Sequence, residues 1–312
     1  MGYPPAMLVA VALLVAGAAV LYLGAEAAVR GATGLSRALG VSAFVLGALL
    51  FGIDLEGLGA AVVASARGET AIAAGEIFGT VLFLFSAAFG AALLLAREPV
   101  PSPDRLMVLA PGLHLVACAF AISDRYVARL EGVLLIVFYL AYVGLVLRTA
   151  RTQPTGEAEP DADRRGPGAR LLVVAGGLLA VAGGAALLVA GGVRLVTEAG
   201  LTAGFVGAVV LGILVSLDEV LLEVLPIRRG TPGLATGNLF GTLAAFTTGV
   251  LGLAALVRPL VIDAPGSVAF LGVAVLYAVV ATAFVARGRA GRLLGAVVLA
   301  SYGAWLVWSA TL

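Results

Sequence analysis

The chain has 312 residues, 62% of them hydrophobic and only 12% charged, with a net charge of +1 and a mean hydropathy of +1.12. A soluble domain carries about twice that charge; the net charge says nothing about partners, and no basic patch supports nucleic-acid binding. Without lysine there is no Gly-rich phosphate loop ending in Lys, which argues against ATP-driven pumping by this chain alone.

A run of about 20 apolar residues crosses a ~30 Å hydrocarbon core. Ten such runs are read in chain order, near 6–27, 42–65, 71–96, 106–123, 127–147, 171–193, 202–225, 233–257, 267–286 and 291–310. They predict an all-α integral membrane protein with short loops, embedded in a lipid bilayer. The first run is long and has no basic residue between Met1 and Met7, so it is expected to be a span and not a cleaved signal. In the fourth run, His114 and Cys118 share a helix face. A metal pair there is conceivable, but packing is the better expectation. Thr149 to Ala169 is rich in Pro, Gly and mixed charge and is expected to be a hydrophilic linker. It divides the chain into 1–148, a cytoplasmic linker at 149–169, and 170–312.

All 19 basic residues are arginines. With ten spans and the N-terminus outside, fourteen arginines fall on inner loops, and only Arg67, Arg125, Arg129, Arg194 and Arg258 on outer ones. That positive-inside bias puts both termini outside, with the cell membrane as the expected location. Five spans per half then enter from opposite sides, giving two inverted five-helix repeats.

The halves repeat one another. Gly40, Gly47, Gly52 and Ile53 recur as Gly200, Gly207, Gly212 and Ile213. Arg67-Gly68, Gly75, Phe78-Gly79-Thr80 and Gly90 recur as Arg229-Gly230, Gly237, Phe240-Gly241-Thr242 and Gly252. Inside these copies lie Asp54, Glu56 and Glu76, then Asp218, Glu219 and Glu223, with no Arg between the helix ends. Each ionised acid at the bilayer centre costs about 2.5–3.5 kcal/mol. Protons or bound cations must neutralise such a set, which points to a cation pathway. Glu56 and Glu219 lie mid-span. Glu223, close to Arg228 and Arg229, suits either a solvated interfacial acid or a member of the set.

The repeat frame puts Glu56 opposite Ser216 and Glu219 opposite Gly59, one helix turn apart on a shared face. Two facing carboxylates suit a hard divalent cation, which takes six to eight oxygens at about 2.3–2.6 Å. Gly52, Gly57 and Gly59 make the second span a candidate for unwinding, with backbone carbonyls as extra ligands. Glycines four apart in Gly75-Glu76-x-x-Gly79-Thr80 and Gly237-Asn238-x-x-Gly241-Thr242 permit close helix approach. Glu76 and Asn238 hold equivalent positions. Either could bind a cation, or hydrogen-bond the acid on the neighbouring helix.

The pattern resembles the cation/calcium antiporter superfamily, whose two repeats each carry a G-T-S-x-P-E-like segment followed by G-N-x-x-G-S. Ser216 and Glu219 match the first segment, and Gly237-Asn238-Leu239-Phe240-Gly241-Thr242 matches the second closely. Gly52-Ile53-Asp54-Leu55-Glu56 looks more like the G-N-x-x-E of calcium/proton exchangers. The resemblance implies secondary antiport by alternating access, calcium being exchanged for sodium or protons. The implied ligands are Glu56, Glu219, Asp54, Asp218, Glu76, Asn238, Ser216, Thr80 and Thr242. Where the family places a further polar ligand, this chain has Leu84 and Phe246; where it has proline, Asp218 stands.

The expected partners are therefore cations and lipid, with transported ions as substrates and no cofactor. An exchanger of magnesium or of monovalent cations is the alternative, and a membrane scaffold without transport a weaker one. An enzyme is not expected, because the spans hold no nucleophile with an adjacent base.

Overall fold

Helices dominate because the apolar runs bury their backbone polar groups internally, as a bilayer demands. The computed structural model describes residues 5–150, 166–198, 216–262 and 265–309. Gly200, Gly207, Gly212 and Ile213, and most of the expected linker, lie outside the described residues. The first half holds α1 (Pro5–Leu39), α2 (Ala43–Leu46), α3 (Leu55–Arg67), α4 (Thr70–Phe83), α5 (Phe89–Leu95), α6 (Arg105–Ala121) and α7 (Arg129–Thr149). The second holds α8 (Pro167–Glu198), α9 (Leu217–Arg228), α10 (Pro232–Ala244), α11 (Leu251–Val257), α12 (Pro265–Val285) and α13 (Arg292–Ser309).

Three π-helical segments are built into these helices. Gly47–Phe51 continues α2, Leu84–Ala88 joins α4 to α5, and Ala245–Val250 joins α10 to α11. Such segments widen one turn and redirect the side chains that follow. Among the described residues, six helices are long and apolar enough to cross a membrane, and three shorter apolar ones accompany them. The fold is thus an all-helical membrane fold.

Small residues set the helix spacing. α1 and α8 pack along their length, and a Cβ on Gly24 would meet the Gly177 carbonyl at 2.8 Å. The two halves also pack crosswise. A Cβ on Gly295 would lie 2.7 Å from the Gly90 carbonyl, and one on Gly252 would lie 2.6 Å from that of Gly132. The loops repeat this exchange: Val100 bridges Ala290, while β1 (Tyr126–Val127) pairs antiparallel with β2 (Leu260–Val261). Arg97, Arg105, Arg287, Arg289 and Arg292 flank the first bridge in sequence, and Arg125, Arg129 and Arg258 flank the second. Arg292 Nε donates to the Ala96 carbonyl at 2.6 Å. One large apolar core joins elements of both halves, whereas α1 and α8 share smaller clusters with α9.

His114 and Cys118 belong to this packing. His114 Nδ1 lies 2.8 Å from Thr248 Oγ1, and its ring packs on Phe138 and Tyr142. Cys118 is fully buried in the main apolar core.

Candidate cation site

The second span breaks where the sequence concentrates glycine and acid. The helix stops after Phe51 and restarts at Leu55, leaving Asp54 as the N-cap of α3. Asp54 accepts from the backbone N–H of Glu56 at 2.9 Å and of Gly57 at 3.1 Å, satisfying two orphan donors of the new helix. Glu56 follows in the first turn. In the second half α9 starts likewise with Ser216 as N-cap and Asp218 and Glu219 in its first turn. Both acidic turns sit at helix N-termini, where aligned peptide dipoles favour negative charge.

These turns and α4 enclose one cavity of about 170 Å³. Asp54, Glu56, Glu76, Asp218, Glu219, Thr80 and Ser216 line it, together with Gly57, Gly75, Gly79 and Phe83. A Cβ on Gly57 would touch Glu76 Oε1 at 3.0 Å and Phe246 Cζ at 2.9 Å, so the first turn of α3 lies directly on both side chains. No arginine is among the lining residues. One Asp218 oxygen is buried with no hydrogen-bond partner among the described residues. No three acids or histidines among the described residues converge as a preformed ion cluster in this conformation.

Seven of the nine residues read from the sequence thus meet at this cavity. Asn238 and Thr242 do not line it. Asn238 Nδ2 instead donates to Glu223 Oε1 at 2.9 Å, the second of the two roles open to it. Glu223 is not solvated near Arg228 and Arg229; it is 0% exposed. The arginine that does find an acid is Arg229, bonded to Glu26 of α1. Of the two readings open to Glu223, the buried one holds, and its spacing of four from Glu219 places it on the same helix face.

The glycine pairs differ. Gly237 and Gly241 pack α10 against α2 and its π-helical continuation, with the Ala48 backbone nitrogen 2.8 Å from a Cβ on Gly237. Gly75 and Gly79 have no described neighbour within 4 Å of such a Cβ and face the cavity instead. Leu84 and Phe246 are 1% and 0% exposed, built into the core beside π-helical segments.

The family profile described as Sodium/calcium exchanger protein matches residues 9–148 and 170–311. An uncharacterized membrane protein of Methanocaldococcus jannaschii is 23% identical over 300 residues, spanning 95% of this chain and 96% of the relative. A proposed antiporter, CaxA, of Alkalimonas amylolytica is 24% identical over 269 residues, 83% of this chain and 84% of that protein. Among solved structures, the sodium-calcium exchanger NCX_Mj soaked with 10 mM Na+ and zero Ca2+ superposes with a TM-score of 0.82. It is 22% identical, with 96% of this chain and 99% of that chain covered. The same exchanger soaked with 100 mM Na+ and 10 mM Sr2+ gives the same TM-score at 21% identity. These likenesses concern the fold.

Proposed function

The chain belongs to the sodium/calcium exchanger protein family, and from that premise we propose that it exchanges calcium for sodium or protons at the carboxylate cavity. The family is one of secondary transporters, not enzymes. The observation that carries the reading is the meeting of five carboxylates from both halves in one cavity without an arginine. Asp54, Glu56, Glu76, Asp218 and Glu219 supply charge for a hard cation, and Thr80 and Ser216 supply neutral oxygens. A divalent ion balances only two of five negative charges. Protons are therefore a counter-ion suited to this site, and the buried Leu84 and Phe246 offer no further polar ligands for sodium.

Crosswise packing at Gly90–Gly295 and Gly132–Gly252 supports ten spans arranged as two inverted five-helix repeats. The arginine-flanked loops support an outside location for both termini in the cell membrane. Alternating access then exposes the cavity to each side in turn. α10 anchors it: every residue from Leu234 to Ala244 is buried.

Reconstituted protein should take up calcium-45 when driven by an outward sodium or proton gradient, and comparison of the two gradients identifies the counter-ion. Glu56→Gln and Glu219→Gln should abolish uptake while the protein still purifies as a folded species. Uptake unchanged in both variants would defeat the site. Uptake of magnesium or of monovalent cations in place of calcium would move the assignment to another cargo on the same scaffold.

A further inference from the structure

The two acidic turns are held in different ways. On α3, Asp54 caps its own helix through two backbone hydrogen bonds. On α9, the N-cap Ser216 makes no side-chain cap bond. The side-chain bond that ties α9 to the core lies about two turns further on, where Asn238 holds Glu223. Glu223 stands four residues after Glu219 and so shares its helix face. Fixing Glu223 therefore fixes the rotation at which Asp218 and Glu219 meet the cavity.

Asn238 is itself rigidly placed. It follows Gly237, where α10 meets the backbone at Ala48, and its own backbone nitrogen lies 3.0 Å from where a Cβ on Gly47 would stand. Asn238 thus sits against the helix that leads to Asp54 while gripping the helix that carries Glu219. Glu223 is also an expensive residue for a buried position: its Oε2 has no hydrogen-bond partner among the described residues. An apolar side chain would fill the position without that loss.

We infer that the Asn238–Glu223 hydrogen bond is a positioning device, setting the angle at which the α9 acids face the cavity and linking that angle to the helix break at Asp54. What the clasp does for transport rests on the cavity being the cation site; the clasp itself does not. Two measurements separate them. In a Cys118→Ala background, Glu219→Cys reports the orientation of the α9 turn through its reaction rate with a water-soluble methanethiosulfonate. Adding Asn238→Leu or Glu223→Leu should change that rate at least about threefold. Adding Glu223→Gln should leave it near the parent, because the glutamine oxygen still accepts from Asn238.

Calcium-45 uptake by the otherwise wild-type protein should show the same division. Asn238→Leu and Glu223→Leu should raise half-saturating calcium about tenfold with the maximal rate little changed; Asn238→Leu, which leaves the buried Glu223 carboxyl without its donor, should also lower the unfolding midpoint. Glu223→Gln should stay within about twofold. Cysteine rates that do not move in the leucine variants overturn the clasp, as does a glutamine variant that behaves like the leucine one. Rates that move as expected in a protein that takes up no calcium leave the clasp standing and defeat the cation-site reading.

Discussion

Replacing Gly241 by alanine tests how tightly the helix break is braced. α10 crosses the end of α2 at this residue, where a Cβ would stand 2.6 Å from the Ala48 carbonyl oxygen and 2.7 Å from the Ala48 Cα. The nearer contact is about 0.8 Å short of an ordinary one at 3.4 Å, and both obstacles are backbone, so no side chain can swing aside. The helices must part, and overpacking of this kind costs about 1–3 kcal/mol. At about 2–4 °C per kcal/mol, the unfolding midpoint should fall by roughly 2–12 °C. Cys118 provides the assay: it is the single cysteine and is fully buried, so a fluorogenic maleimide reacts as the fold opens. Gly144→Ala on α7 is the matched control, since nothing lies within 4 Å of its Cβ. It should be neutral or stabilising by up to about 1 kcal/mol. Because the same crossing supports the break before Asp54, Gly241→Ala should also slow uptake. A Gly241→Ala midpoint at or above that of the parent, with Gly144→Ala lower, would refute the reasoning.

Two further outcomes follow from the same geometry. Thr248→Val removes the hydroxyl that meets His114 Nδ1 and leaves a buried ring nitrogen unpartnered, which should cost about 1–3 kcal/mol. Half-saturating calcium should not change, because neither residue lines the cavity; a selective loss of calcium affinity at unaltered stability would show that the pair belongs to the site. Acidification should weaken cation uptake, since each proton bound to a cavity carboxylate removes one negative charge and one ligand. Half-saturating calcium should therefore rise as the loading side is acidified, and a flat profile would show that protons and calcium do not share these oxygens.

The membrane class and its all-helical character were legible in the sequence because bilayer physics acts on composition alone. Apolar runs are visible without coordinates. The position of the helix break was legible too, since Gly52 and Asp54 are a poor helix interior and a good N-cap. Side-chain direction was not. Asn238 and Glu76 hold equivalent places in the repeat, yet Glu76 faces the cavity and Asn238 turns to Glu223. That choice depends on how α10 is rotated by its crossing with α2, a contact between residues about 190 positions apart. The same holds for Glu223. Arg228 and Arg229 follow it by five and six positions, but α9 turns it into the protein while Arg229 reaches Glu26 on α1.

The asymmetry of the two halves bears on the cargo. A symmetric pair of repeats would offer matching ligands from α4 and α10, so that an ion at the centre would see four helices alike. Here α4 contributes Glu76 and Thr80, while the equivalent α10 residues, Asn238 and Thr242, are committed to the core at 4% and 3% exposure. The cavity is therefore charged from three sides and braced from the fourth. Clustering five acids within about 170 Å³ is costly unless positive charge enters with the solvent-facing side chains still free to close around it. On the proposed reading, five acids with few neutral oxygens suit one strongly charged ion, or one ion accompanied by protons. Leu84 and Phe246, which stand where the resembled superfamily places a further polar ligand, are buried in the core and add no oxygen to the cavity.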